Sequence, residues 1–421
     1  MHSDPPRIGR HRWVICALLF TATVINYIDR QMLGILKPVL STDLGWSEVD
    51  YANIVFWFQA AYAVAYLMWG RVVDRVGARW GYFVAFIVWQ IAHIAHAGAR
   101  ELSHFIAARI ALGVGEAGSF PAGLKAVAEW FPKKERAFAT GVFNAGSNVG
   151  AIITPLIVPA ITIAWGWQAA FIITGVVSLL WLVVWLWFYH VPRENKRVGA
   201  AELAHIESDP PDPQMEKVGW MTLLRKRETW AFAGAKFLTD PIWWMFLFWL
   251  PDFFAKTYQL DLKTYGPPLV VVYLLADVGS IAGGWFSLKL IRGGRSINYA
   301  RKMAMLVCAI AVLPIMFAQE VSSLWVAVVI VGIAAAAHQG FSANLFTIPG
   351  DVFPRRAVGS VIGIGGMFGA IGGMLMSQYA GHVLEKIGSY TPLFLVAGCA
   401  YLLALLWIHV LTPRMQVVEV N

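Results

Sequence analysis

Charge is scarce in this chain. Of its 421 residues, 14% are Asp, Glu, Lys or Arg and 58% are apolar, whereas an ordinary soluble domain has about 25% charged residues. With a mean hydropathy of +0.61, this composition excludes a water-soluble globule and points to an all-α membrane protein. Cysteine is scarcer still. Cys16, Cys308 and Cys399 lie far apart, without metal-binding or redox spacing, and read as packing residues. There is no phosphate-cradling glycine loop with Lys-Ser/Thr, no His-Glu-x-x-His, no cysteine pair and no Gly-x-Ser-x-Gly. These absences exclude a nucleotide-hydrolysing motor within this chain, leave an enzyme reading without a motif and imply no cofactor. An ion gradient or a solute's own gradient must supply any driving force.

What the chain has in quantity is apolar runs. About 20 residues suffice to cross a bilayer, and twelve candidate transmembrane helices emerge: 13–36, 51–71, 80–99, 102–124, 137–160, 167–189, 229–252, 267–290, 300–318, 321–345, 358–381 and 390–411. The first is as long as a full span, carries Asp29-Arg30 and precedes no small-residue cleavage site, which speaks against a cleaved signal peptide. The long polar stretch 190–228, with "SDPPDPQMEK", separates a six-helix half (1–189) from a second six-helix half (229–421) as a cytoplasmic linker.

Lysine and arginine set the orientation. They crowd around Arg7, Arg10 and Arg12, around Arg71, Arg75 and Arg79, around Lys133, Lys134 and Arg136, and along the linker, Lys217 included. They return at Lys289 to Lys302, at Arg355-Arg356 and at Arg414. The opposite loops hold Lys37, Arg100, Lys256, Lys263 and Lys386. The bias predicts both termini inside. It also accounts for the net charge of +8 without a nucleic-acid partner. Twenty tryptophans suit membrane interfaces and sugar stacking alike.

"EWFPKKERAFATG" at 129–141 resembles "DVFPRRAVGSVIG" at 351–363, and "GRVVDRVGARWGY" at 70–82 is echoed weakly by "GGWFSLKLIRGGRS" at 283–296. Each pair falls on the same kind of inner loop. Two parallel six-helix repeats, related by pseudo-two-fold symmetry, place a solute site at mid-membrane between them.

Charges within spans are costly and need a reason. "TATVINYIDRQMLG" carries Asp29 and Arg30 toward the outer end of span 1. Helix neighbours point about 100° apart, so the two cannot share one partner well. Asn26 and Tyr27 add a polar face beside Arg30. An interfacial arginine snorkelling beside a salt-bridged aspartate is the structural alternative to a cavity-lining pair. "RIALGVGEAG" puts Arg109 and Glu116 two turns apart on one face of span 4, with glycines that permit close helix approach. At about 10 Å along the axis they need partners on another helix, and Asp29 and Arg30 are the supply. A purely structural ion network is the alternative. Protonating a carboxylate would free its arginine for an anion, which makes Asp29 and Glu116 proton-carrying candidates.

Span 7 opens with Lys236 and Asp240, an ordinary i,i+4 pair or a second cation for an anion, followed by Pro241, Trp243, Trp244 and Trp249. His338 lies at the repeat position of Glu116 and is a satisfied packing residue or a ligand. With Gln339, Asn344, Asn144, Asn148, Gln59 and Tyr27 it makes a set of hydroxyl-reading candidates, and Tyr62 and Trp244 are further substrate-binding candidates. Tyr273 and Asp277 mark span 8, and His93 and His96 are expected outside the main cavity.

"GRVVDRVGAR" resembles the loop 2–3 signature of the major facilitator superfamily at Gly70, Asp74, Arg75, Gly77 and Arg79. The resemblance implies that fold and an inner gate built from Asp74, Arg75 and Arg79. "NYIDR" with Arg109 and Glu116 is similar to its anion:cation symporter family. That likeness implies substrate contact by Tyr27 and Arg30, protonation of Asp29 and Glu116, and Arg109 as charge partner. The fullest likeness, through "GEAGSFPAGLKAVAEWFPKKERAFATGVFNAGSNVGA", "KFLTDPIWWMFLFWLP" and "AAAAHQGFSANLF", is to bacterial hexuronate (glucuronate/galacturonate) transporters. Galactonate-type relatives carry a substrate-contacting asparagine in span 11, where "GSVIGIGGMFGAIGG" offers glycines.

The expectation is a monomeric, proton-coupled importer of sugar-acid monoanions in a bacterial inner membrane. Asp29 and Arg30 would line a wet central cavity and change partners there. Arg30 would anchor the carboxylate, assisted by Lys236 or Arg109. Another organic anion such as an aldonate, an exchanger without proton coupling, and a sensor that binds without moving its ligand are the rival readings.

Overall fold

The computed structural model describes residues 9–209 and 218–419. Arg7, Lys217 and most of "SDPPDPQMEK" lie outside the described residues. Among the described residues the chain is helical throughout: α1 (His11–Leu44), α2 (Glu48–Ala95), α3 (Leu102–Glu116), α4 (Ser119–Trp130), α5 (Lys133–Trp165), α6 (Trp167–Phe188), α7 (Ala200–Ile206), α8 (Trp220–Leu224), α9 (Arg227–Thr257), α10 (Gly266–Arg292), α11 (Ile297–Val312), α12 (Leu324–Leu345), α13 (Ile348–Val352), α14 (Arg355–Ile387) and α15 (Thr391–Leu411). Among these residues nine helices are long and apolar enough to cross a membrane.

The difference from twelve sequence-read spans has physical sources. Spans 2 and 3 run on as α2, whose direction breaks at Gly77, with φ 81° and ψ 166°. Only glycine adopts that backbone without strain. Span 4 is divided between α3 and α4. Span 7, within α9, carries Lys236, Asp240 and Asp252, which dilute its hydropathy.

The sequence repeat has a structural counterpart. Pro132 (φ −62°, ψ 153°) caps α5 and Pro354 (φ −62°, ψ 148°) caps α14, and both helices run for 33 residues. Proline's fixed φ and missing N–H suit a helix start, where no intrahelical partner is lost. Each of these prolines follows a short amphipathic helix, α4 or α13.

Helix α1 packs along α5 and α6, and α2 packs along α3, α4 and α6. In the second bundle α9 packs on α14 and α15, α10 on α12, and α11 on α12 and α15. The bundles meet where α2 crosses α14, α5 crosses α10 and α1 crosses α9. The described hydrogen bonds and ion pairs across this seam lie toward the Leu44 end of α1. There Lys37, 1% exposed, sits 2.6 Å from Glu48 Oε2 of α2 and 2.6 Å from Asp252 Oδ2 of α9. Its ammonium lies over the rings of Tyr51 and Trp249, 5.0 and 4.6 Å from their centroids. Lys256 pairs with Glu48 and Asp252, and the Tyr390 hydroxyl donates to Asp252. Tyr51 donates to Phe248 O (2.7 Å), and the Gln378 amide donates to Asn53 (3.0 Å).

On the N-terminal bundle the linker is strapped down by α7. Arg12 pairs with Glu135 (3.0 Å) and Glu202 (3.4 Å), and His205 meets Glu135 at 2.9 Å.

Candidate functional site

Span 4 breaks at the site, and the break shapes it. α3 ends at Glu116, and Gly118 N–H turns back to Gly115 O. This leaves Val114 O without its helical donor, and Trp69 Nε1 supplies one at 2.7 Å. Close packing holds the helix there. A Cβ at Gly113 would lie 2.5 Å from Phe58 O, and one at Gly115 2.5 Å from Trp89 N. Only hydrogen fits at either place.

Across this break Arg30 Nε donates to Glu116 Oε2 at 2.9 Å, and its Nη2 donates to Asn26 Oδ1 at 3.1 Å. The guanidinium is ringed by Tyr27 (4.9 Å), Tyr62 (5.1 Å), Trp244 (5.4 Å) and Phe58 (5.9 Å). Trp244 comes from α9 and the other three from α1 and α2, so both bundles build the cage. Cation–π contact favours a desolvated arginine at such a place. Arg109, fully buried, donates from Nη1 to Arg30 O at 3.3 Å and lies within electrostatic reach of Glu116 and Asp29. Its Nε and Nη2, and Glu116 Oε1, have no hydrogen-bond partner within the protein. Polar atoms left over at one buried place are the raw material for a ligand site.

Asp29 corrects one expectation. It does not line the central cavity. It is fully buried and points into the N-terminal bundle, where Oδ2 accepts from Trp89 Nε1 (3.0 Å) and Gln90 Nε2 (2.7 Å). His93 Nε2 lies 3.4 Å from its Oδ1. The 100° step between consecutive helix residues sends Arg30 toward the seam and Asp29 toward the second segment of α2.

Other candidates divide. Gln59, buried with its amide unpaired, faces Gly373 of α14 and approaches the Trp244 side of the cage. Asn144 is exposed, and Asn148, half-buried on α5, faces Asp277 of α10 across the seam. Gln339 is half-buried. Lys236 meets Asp240 at 2.7 Å and lies over Phe346. This is an i,i+4 pair on α9, two turns along that helix from Trp244 of the cage.

Two expected hydroxyl readers are engaged inside the second bundle instead. Asn344 donates to Gly283 O (3.0 Å) and Gly340 O (2.9 Å), tying α10 to α12. His338 stacks on Trp243 at 5.2 Å, and its Nδ1 meets Tyr401 Oη at 2.6 Å. Both are committed because buried polar groups in a bundle must be satisfied locally. Asp74 is exposed with Lys125 Nζ 3.6 Å away, Arg75 is exposed, and Arg79 donates to Leu186 O (2.8 Å). The residues sequence reasoning missed are Phe58, Trp89, Gln90 and the Lys37 cluster. Lys37 stands inside the apolar run "GILKPVL", which was the available signal.

The fold and site define a multi-pass helical membrane protein with a charge-paired, aromatic-ringed site at the seam of two bundles. The chain belongs to the Major Facilitator Superfamily, which it matches over residues 19–377. It is 34% identical to the hexuronate transporter of Escherichia coli (strain K12), over 97% of this chain and 96% of that protein. It is 34% identical to the galacturonate transporter of Dickeya chrysanthemi over 66% of this chain and 81% of that protein. It is 27% identical to a D-galactonate transporter of Escherichia coli O6:H1, over 95% of each. In fold it is similar to a bacterial homologue of the human lysosomal transporter Spinster in an inward-facing, unoccupied conformation. The TM-score is 0.71 at 16% identity, covering 98% of this chain and 96% of that one. Its work is therefore solute transport, not covalent chemistry.

Proposed function

We propose that this protein imports hexuronates, glucuronate or galacturonate, together with protons across a bacterial inner membrane. It does so as a monomer of twelve spans with both termini inside. Residues 1–189 and 229–421 are its rocking halves, joined by the linker 190–228. The Leu44 end of α1 is then extracellular, and the Lys37 cluster closes that side in an inward-facing state.

The observation that carries the reading is the Arg30–Glu116 pair inside its aromatic ring. With both acids ionised, Asp29, Arg30, Arg109 and Glu116 sum to zero charge. Adding a carboxylate to a neutral buried cluster is opposed by desolvation unless a proton comes too. Protonating Glu116 frees Arg30, whose planar fork suits a carboxylate bidentately. Tyr27, Tyr62 and Trp244 offer faces to the sugar's C–H surface. Gln59, Asn148 and Asp277 offer hydrogen-bonding groups to its hydroxyls. The names of the hexuronate and galacturonate relatives support the substrate class.

The test is uptake of labelled glucuronate and galacturonate into proteoliposomes with and without an inward proton gradient. Accumulation above the external concentration only with the gradient is the expected outcome. Equal equilibration in both conditions would defeat proton coupling, and no uptake of either sugar acid would defeat the substrate assignment.

A further inference from the structure

Asp29 sits in surroundings that the exchange at Arg30 leaves unused. Its Oδ2 is occupied by two pure donors, the Trp89 indole (3.0 Å) and the Gln90 amide (2.7 Å). A proton on this carboxyl therefore belongs on Oδ1, which has no hydrogen-bond partner. The nearest ionisable group to Oδ1 is His93, fully buried, with Nε2 at 3.4 Å. The same Nε2 lies 2.8 Å from Thr174 Oγ1 on α6. Thr174 spends its own proton on Ala170 O at 2.7 Å, so its oxygen accepts and His93 Nε2 must carry hydrogen. That N–H has two acceptors within reach, and the geometry gives it to Thr174.

We propose that His93 is a positioning residue for the proton carried by Asp29: its Nε2–H rests on Thr174 while Oδ1 is protonated and swings to Oδ1 when that proton leaves. The second position stabilises the carboxylate, because a hydrogen bond to the charged form favours it. His93 thereby sets the pH at which Asp29 loads and unloads, some way from the sugar site and without touching substrate. The other charged groups facing this pair are Arg109 and Glu116 of α3. His96 lies beyond, ring centroids 6.5 Å apart, its Nδ1 committed to Ala92 O and His93 O. From α6 come Thr174 and Phe171, neither of them titratable. The inference rests on the proton-coupled reading above.

The experiment measures the pH dependence of gradient-driven glucuronate uptake, and glucuronate counterflow at equal pH on both sides, for three proteins. His93→Leu removes the donor, so Oδ1 holds its proton more firmly and the midpoint of uptake moves to higher pH by half a unit or more. Thr174→Val removes the competing acceptor, leaves Nε2–H to Oδ1 and moves the midpoint to lower pH. Counterflow, which requires the sugar site but no net proton movement, stays within about twofold of wild type in both. Opposite shifts support the inference. Unshifted midpoints with a gradient-dependent wild type overturn it and leave symport standing. A wild type indifferent to the gradient overturns symport and this inference together. Thr174→Val is close to isosteric, so if His93→Leu fails to fold, an unshifted Thr174→Val profile by itself overturns the inference.

Discussion

Lys37→Met tests whether the Leu44-end cluster stabilises a state of the transporter or only its fold. Lys37 is one of the few cations buried in an apolar run, held between Glu48 of its own bundle and Asp252 of the other. Removing one member of a buried pair costs about 3–5 kcal/mol, because the remaining charge is stranded. Lys256, its side chain 51% exposed, stays beside both carboxylates, which puts the expected loss at the low end, about 3 kcal/mol. The loss falls on the state in which the bundles touch at this end, since the acids regain water when the bundles part. At about 1.4 kcal/mol per factor of ten, the equilibrium moves roughly a hundredfold toward the parted state. Spin labels at Asp43→Cys and Lys263→Cys, both exposed at that end on different bundles, report it once Cys16, Cys308 and Cys399 are replaced by alanine. The distance distribution should lengthen and its short component shrink, while the melting temperature of the detergent-solubilised protein changes little. A melting temperature that falls with an unchanged distance distribution would refute the reasoning, since the lysine would then hold the fold and not the state.

Three further outcomes are expected. Arg30→Lys keeps the charge but loses the planar fork and its contacts over Tyr27, Tyr62 and Trp244. KM for the sugar acid should rise about tenfold or more, and an unchanged KM would remove Arg30 as the anchor. Asn344→Ala removes two buried amide hydrogen bonds, to Gly283 O and Gly340 O, at about 0.5–1.5 kcal/mol each. It should lower the melting temperature while leaving KM alone, whereas a KM effect at constant stability would restore it as a hydroxyl reader. Gly77→Ala meets no neighbour within 4 Å, so its cost of about 1–3 kcal/mol comes from the positive φ. A melting temperature unchanged within error would contradict that account.

Much of the architecture could be read from local sequence because hydrocarbon penalises polar groups whatever their partners. Apolar run lengths and the two "FP" turns before α5 and α14 are properties of short segments. The same holds for the prediction that Arg109 and Glu116 would need partners from Asp29 and Arg30. Arg30 meets Glu116, as the spacing implied. The misplacements have one physical source. Asn344 and His338 read as cavity groups because residue type was visible and helix rotation was not. Span 4 read as one helix because the break at Glu116 depends on Trp69 of another helix donating its indole N–H to the freed Val114 carbonyl.

The sequence by itself determined that this chain spans a membrane in helices, repeats itself, and buries a balanced set of charges in its first half. Tertiary structure alone decided where each charge points. Asp29 and Arg30 are adjacent, yet one faces His93 inside a bundle and the other faces the seam. Lys37 finds Asp252 more than two hundred residues away. Such pairings depend on the rotation of each helix about its axis and on which helix lies alongside it. The packing of all the helices fixes both together, and no local stretch of sequence records them.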